Sequence, residues 1–178
     1  VQDHMFPAKF FHEQGYVHHA IAGQKSYNGV AVMSRVPLLN IDRRDWCAKG
    51  DARHVEVTLP GNIQLHNFYV PAGGDEPDPA INDKFAHKLD FLDEMTAWSG
   101  DLPKDSRAIL VGDLNIAPYE SDVWSHKKLL KVVSHTPIEC EKMNTLMQAH
   151  DWFDVMRHFV PEPERLYSWW SYRARDWR

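Results

Sequence analysis

The chain has 178 residues, 43% hydrophobic and 25% charged, with a formal net charge of −5 and a pI of about 6.1. That length builds one domain with a proper core and is short for two, and no apolar run is long enough for a transmembrane helix. Two cysteines, Cys47 and Cys140, exclude a disulfide framework or a zinc set. An acidic balance speaks against a broadly basic nucleic-acid binder, but not against an enzyme that gathers carboxylates around a divalent metal while a separate basic face meets phosphate. The opening "VQDHMFPAKF" has neither the basic nor the apolar region of a signal peptide and no initiator methionine, as expected of a fragment or processed product. A reduced, cytoplasmic setting is expected.

In chain order, residues 3–14 read as a short helix, with Asp3 as its cap, Phe6, Phe10 and Phe11 on its apolar face and Gly15 as its stop. "YVHHAIA" reads as a strand, "GQKSYNG" as a turn and "VAVMSR" as a half-buried strand. "HVEVTL" and "IQLHNFYV" flank Pro60-Gly61-Asn62 and form a hairpin. After the loop "PAGGDEPDP", Phe85, Leu89, Leu92, Met95 and Trp98 recur at three and four, which makes residues 80–98 an amphipathic helix. "RAILVG" is a short, wholly apolar strand, expected to be covered on both faces. Residues 137–150 form a further helix with Met143, Leu146 and Met147 turned inward, and "RLYSWWSYR" is an aromatic strand or loop. Hairpin-linked strands interrupted by helices, without strict alternation, favour an α/β fold of packed sheets with helices outside over a doubly wound parallel sheet. No domain boundary is evident, so residues 1–178 are read as a single domain.

The chemistry concentrates at "RAILVGDLNIAP". Strand positions two apart point the same way, so a strand continuing through Asn115 projects the Asp113 carboxylate and the Asn115 carboxamide together. The carboxylate accepts a proton or binds a hard cation, and the carboxamide donates and accepts. Phosphoester hydrolysis needs that mixture, although Gly, Asp and Asn also make an ordinary turn. Tyr69 ends its strand before a Pro-Gly loop, where a phenol contacts phosphate or caps a core. Lys25, Tyr27 and Asn28 sit on a turn and suit phosphate-backbone contact or simple exposure. "RLYSWWSYRARDWR" interleaves Trp169, Trp170 and three tyrosine or tryptophan rings with Arg173, Arg175 and Arg178, a mixture that suits nucleic acid. The histidines, among them His18, His19, His66, His87, His126 and His135, lack metal spacing and read as surface or satisfied polar groups. Asp151 and Asp154 are readable as ligands or as helix caps.

Taken together, "GQKSYNGVAVMSR", "NFYVPAGG", "LVGDLNIAP" and "YSWWSYR" resemble, in order, four motifs of the exonuclease III-type AP endonucleases of the endonuclease/exonuclease/phosphatase superfamily. The resemblance implies a four-layered α/β sandwich of two packed mixed β-sheets flanked by helices, here without its N- and C-terminal strands. It implies Mg²⁺- or Mn²⁺-dependent hydrolysis of phosphodiesters in double-stranded DNA, 5′ to an abasic site or stepwise from a 3′ end, by a monomer with no membrane contact. Carried over by motif, Asp113 orients or deprotonates the attacking water, Asn115 hydrogen-bonds the scissile phosphate, and both belong to the metal site. Tyr69 contacts the same phosphate, Tyr27 and Asn28 meet DNA, Trp169 sits at the pocket for the flipped abasic sugar, and Arg173 lies near the groove. Removing a base makes such flipping easier, because stacking and pairing are already lost.

The departures from the family pattern are specific. The resemblance implies a Gln-Glu-Thr-Lys segment, whose Glu is the main metal ligand, ahead of residue 1, and an Asp and an Asp-His pair beyond Arg178. No residue here matches those roles, so the 178 residues alone are expected to be inactive. Ala72 occupies a place that is often polar in relatives. A DNA-binding module without catalysis, or a phosphatase of the same superfamily, are the alternatives.

Overall fold

The computed structural model describes residues 2–169 of the chain. It contains six strands, β1 (His18–Ala22), β2 (Val30–Ser34), β3 (Leu39–Asp42), β4 (His54–Leu59), β5 (Ile63–Tyr69) and β6 (Ala108–Asp113). Five α-helices accompany them: α1 (Ala8–Glu13), α2 (Asp83–Asp101), α3 (His126–Leu129), α4 (Pro137–Ala149) and α5 (Val155–Phe159). The chain divides into two compact units. One runs from the N-terminal end to Val70 and takes in Pro103–Leu114; the other takes Pro71–Leu102 and the chain from Asn115 onward.

The first unit holds both sheets. β1 and β2 form an antiparallel pair, with His18 opposite Ser34 and Ala22 opposite Val30. The second sheet runs β3-β4-β5-β6, antiparallel except for the parallel β5–β6 pair. The β4–β5 hairpin turns on Gly61 and Asn62, both with positive φ, as the Pro-Gly-Asn signal requires. The sheets pack face to face through Ala20, Ala22 and Val30 on one side and Val55 and Val57 on the other. Val55 and Val57 are fully buried, and alternation along β4 turns them to this layer.

β3 is absent from the sequence reading. It is four residues long, exposed throughout, and its register against β4 shifts between Leu39 and Asp42. Pairing with β4, rather than any pattern of its own, makes it a strand. β6 is a correction. It was expected to be covered on both faces, yet Ile109 and Val111 are 42% and 41% exposed. β6 lies at the end of the sheet order, while β1 and β2 lie principally over β4 and β5. The first helix is also interrupted: a 3₁₀ turn at Asp3–Met5 precedes α1. Asp3 caps neither. Its carboxylate instead accepts from the Gly23 amide at 2.6 Å and pairs with Arg43.

The second unit is built on α2 against α4. α2 buries Phe85, Leu89, Leu92 and Met95, as the three-four spacing predicts, and also Phe91 and Lys88. Asn82 caps it by accepting from the Lys84 amide. α4 begins with a capping box: Thr136 and Glu139 each accept from the other's backbone N–H, and Pro137 occupies the first helical position. Met143 and Leu146 are buried as expected and Met147 is half-buried. Asp154 caps α5 by accepting from the Arg157 amide, so a cap is its role here.

Candidate active site

In the first unit the site grows from the β5–β6 pair. Tyr69 and Asp113 are register partners in the parallel ladder, and the Val70 amide donates to the Asp113 carbonyl at 3.0 Å. The ladder thus brings Tyr69 and Asp113 next to one another at the ends of the two strands. Asp113 is exposed and Tyr69 half-buried.

Gly112 explains why the apolar run breaks where it does. Its φ is +125°, and a Cβ there would lie 1.9 Å from the Phe68 carbonyl oxygen and 2.7 Å from Asn67 Oδ1. Only a glycine lets β6 come this close to β5 one residue before the aspartate. Asn67 in turn donates through its side-chain nitrogen to the Ala31 carbonyl at 3.1 Å, joining β5 to β2 in the other sheet.

Arg53 is a further candidate, one that the sequence did not mark. Its carbonyl accepts from the Tyr69 amide at 2.8 Å, its Nη1 donates to the Tyr69 carbonyl at 3.1 Å, and its guanidinium lies 5.2 Å from the Tyr69 ring centroid. Asp51 holds the same guanidinium at 2.9 Å. Arg53 thus fixes Tyr69 through both backbone and ring, and puts a cation beside a phenol suited to phosphate. Nothing in the local pattern "GDARHVEV" marks it, because its partner lies 16 residues away.

The turn carrying Tyr27 and Asn28 is anchored to the same segment. Gln24 Oε1 accepts from the Ala52 amide at 2.6 Å, and the Gly29 amide donates to the Ala52 carbonyl at 2.9 Å. Asn28 has a φ of +62° and Tyr27 is 79% exposed. Residues 51–53 therefore hold both the turn and Tyr69, which brings these sequence candidates into one region of the first unit.

Behind β4 and β5, on the face away from the inter-sheet core, lies a buried aromatic cluster. His54 Nε2 and His66 Nδ1 are 3.3 Å apart, His54 stacks on Phe68 at 4.3 Å between centroids, and Trp46 meets both rings edge-on. Burial, reinforced by His66 and Arg44, lowers the His54 pKa to about 3, and burial lowers that of His66 to about 4. Both rings are neutral near pH 7, so one ring N–H donates to the other. These are interior histidines, but among the described residues His54 Nδ1 is buried without a hydrogen-bond partner, so the expected reading as a satisfied polar group does not hold for it.

In the second unit, Asn115 is half-buried with a φ of +52°, so the strand does not continue through it as expected. Three contacts fix the segment that follows Asp113 and Leu114. Lys88 Nζ donates to the Asn115 carbonyl at 2.7 Å, the Ala117 amide donates to the Ser134 carbonyl at 2.9 Å, and the Ala117 carbonyl accepts from His135 Nδ1 at 2.7 Å. A carbonyl only accepts, so His135 carries its proton on Nδ1.

Trp169 is half-buried against Ala117, Val123 and Leu129. The amides of Leu166 and Ser168 donate to the Ser121 and Asp122 carbonyls, so residues 166–168 run alongside residues 121–122. Asp122 is buried and paired with Arg157. A groove of about 500 Å³ opens nearby, between Glu120, Val123, Trp124 and His126 on one side and Pro163 and Arg165 on the other. Arg173 lies outside the described residues.

For the expected Mg²⁺ or Mn²⁺, Asp113 offers a carboxylate and Asn115 a carboxamide, and among the described residues no three His, Cys, Asp or Glu side chains gather as a metal-binding group. Among those residues, no helix is long and apolar enough to cross a membrane.

The two sheets and the strand that ends in Gly112-Asp113 define a known class of α/β fold. The chain belongs to the Endonuclease/Exonuclease/phosphatase family, whose model matches residues 2–178. Among curated proteins it is 26% identical over 163 residues to an exodeoxyribonuclease of Bacillus subtilis (strain 168), covering 91% of this chain and 62% of that protein. It is 28% identical over 162 residues to a DNA-(apurinic or apyrimidinic site) endonuclease of Dictyostelium discoideum, covering 89% of this chain and 44% of the relative. The structure of an AP endonuclease from Archaeoglobus fulgidus superposes with a TM-score of 0.85 and 28% identity, over 99% of this chain and 66% of the other. A 3′ phosphatase from Neisseria bound to product DNA hairpin gives 0.83 and 25%, over 98% and 66%. The α/β fold with two sheets is therefore that of the AP endonucleases, and the chain spans less than two thirds of each of these relatives.

Proposed function

We propose that this chain forms the central part of a single-domain DNA repair nuclease that hydrolyses phosphodiesters 5′ to abasic sites or at 3′ ends. It would act as a cytoplasmic monomer on double-stranded DNA. The observation that carries the reading is the Tyr69–Asp113 pairing, with Arg53 holding Tyr69 from behind. The family model running from residue 2 to residue 178 supports treating both compact units as one catalytic domain.

Each residue has a role its chemistry allows. The exposed Asp113 carboxylate accepts a proton from, or orients, the attacking water. The Tyr69 hydroxyl donates to a phosphate oxygen, and the Asn115 carboxamide adds a second donor where charge develops. Tyr27 and Asn28 meet the DNA backbone, which fixes register without reading sequence. Trp169 borders the place for an extruded sugar, and Arg173 adds a phosphate contact. A divalent cation belongs to the proposal, but Asp113 and Asn115 do not complete its ligand set, and no step is assigned to it.

The test is incision of a duplex with one abasic site, and shortening of a recessed 3′ end, by the full-length protein containing this chain. Asp113→Asn is expected to lower the rate by about a hundredfold or more, and a chelator to abolish it. The 178 residues alone are expected to bind and not to cut. Cutting by them that vanishes in Asp113→Asn would overturn this account of the site. Removal of a 3′ phosphate from DNA is a second reading, favoured by the likeness to the Neisseria 3′ phosphatase.

A further inference from the structure

The second unit contains an ion pair with no surface at all. Lys88 and Glu139 have side chains 0% exposed, and Nζ lies 2.5 Å from Oε1. A buried pair of this kind is a poor way to gain stability, since apolar residues of similar volume do as well or better. Its remaining bonds indicate another role. Lys88 Nζ donates to the Asn115 carbonyl at 2.7 Å and approaches the Ala72 carbonyl and Ser134 Oγ, both at 3.4 Å. Glu139 accepts from the Ser134 amide at 2.9 and 3.0 Å, from the Thr136 amide at 3.1 Å and from Thr136 Oγ1 at 2.6 Å.

The ammonium therefore joins two loops to the start of α4. One carries Ala72, after the strand that ends in Tyr69; the other carries Asn115. Gly73 is shaped around the lysine: a Cβ there would lie 2.9 Å from Lys88 Cδ, and its φ of +89° suits glycine alone. Asn115 holds a left-handed φ of +52°, a conformation that asparagine enters more readily than other non-glycine residues and that contacts to its backbone can hold in place. One restraint at that backbone is a charge-assisted hydrogen bond from a lysine that is itself oriented by Glu139.

We propose that the Lys88–Glu139 pair is a positioning device for Asn115, locking its left-handed backbone so that the carboxamide is presented in one direction. Lys88 is a positioning residue, acting on DNA only through Asn115. The inference rests on the reading of Asn115 as a phosphate-contacting residue.

The experiment uses the 178-residue chain and two variants. Lys88→Met with Glu139→Gln removes the charges together, keeps the aliphatic stem beside Gly73 and leaves an oxygen to accept from Thr136 and Ser134. Leu146→Ala, in the α4 core, is the control for lost stability alone. The first readout is the NMR signature of a left-handed Asn115, its short intraresidue amide-to-Hα distance. The second is affinity for a duplex with a tetrahydrofuran abasic analogue, each variant combined with Asn115→Ala.

The paired variant is expected to lose the left-handed signature and to bind about tenfold more weakly, with no further loss when Asn115→Ala is added. Leu146→Ala is expected to keep the signature, and its effect is expected to add to that of Asn115→Ala. Retention of the signature in the paired variant, or additivity with Asn115→Ala, overturns the proposal. If the parent chain does not prefer the abasic duplex, the nuclease reading fails, and the backbone signature alone supports or overturns the positioning role.

Discussion

The two units bury titratable groups in opposite ways. In the first, His54 and His66 are 3% and 1% exposed and give up their charge, with pKa values lowered to about 3 and about 4. In the second, Lys88 and Glu139 are equally buried and are held as an ion pair at 2.5 Å, ringed by backbone donors and acceptors. A histidine reaches its neutral form a little above pH 6, so neutralisation suits a ring filling a core. A lysine and a glutamate are far from neutral at pH 7, so burying them requires each other and a set of directed bonds. The first arrangement fills space. The second fixes directions, and the direction it fixes is that of the chain around Asn115.

The largest effect should come from breaking the ion pair. Lys88→Met alone leaves Glu139 buried without its cation and is expected to destabilise the fold by about 3–5 kcal/mol. The paired variant Lys88→Met with Glu139→Gln should recover most of that in a denaturant titration. If the single variant unfolds no more easily than the parent, the second arrangement is no different in kind from the first.

The histidines should show themselves through acid. Their pKa values are lower in the native chain than the usual 6.5, so between about pH 6.5 and pH 3 the unfolded chain binds more protons. Stability is then full above about pH 6.5 and falls with decreasing pH, by up to about 1.4 kcal/mol per pH unit for each ring. Glu56, whose pKa burial and Asp42 raise, works in the opposite direction. Thermal melts across this range in the parent and in His54→Phe measure the slope, and an unchanged acid limb in the variant would remove His54 as its cause.

The smallest effect should be at the cap that orients Glu139. Thr136→Ala removes the hydroxyl that both caps α4 and donates to the carboxylate, for an expected loss of about 1 kcal/mol by chemical denaturation. A loss as large as that of Lys88→Met would mean that the cap, rather than the ammonium, holds the second unit's network together.

Local patterns made much of this molecule legible. Three-four spacing gave α2 and α4, the Pro-Gly-Asn turn gave the β4–β5 hairpin, and the Gly-Asp-x-Asn stretch ended a strand. β3 and the exposure of β6 were not legible, since both depend on which strands lie alongside. Arg53 was hidden because its partner is brought near only by hairpin pairing. Lys88 left a trace: it is three residues after Phe85 and four before Leu92, on the helix face that turns inward. An unusual lysine on an apolar stripe was a signal, but its partners on the Asn115 turn and on α4 were not. Asn115 itself was expected to follow Asp113 in extended strand geometry and instead turns left-handed.

Gly112 has a consequence for anyone seeking variants of this site. Nearly every other residue type is barred there by the Phe68 carbonyl 1.9 Å from a would-be Cβ, so the position offers no graded series of substitutions. The neighbouring aspartate is placed by the absence of a side chain. An inactive Gly112 variant would therefore report on the spacing of two strands and would carry no information about the chemistry of the residue beside it.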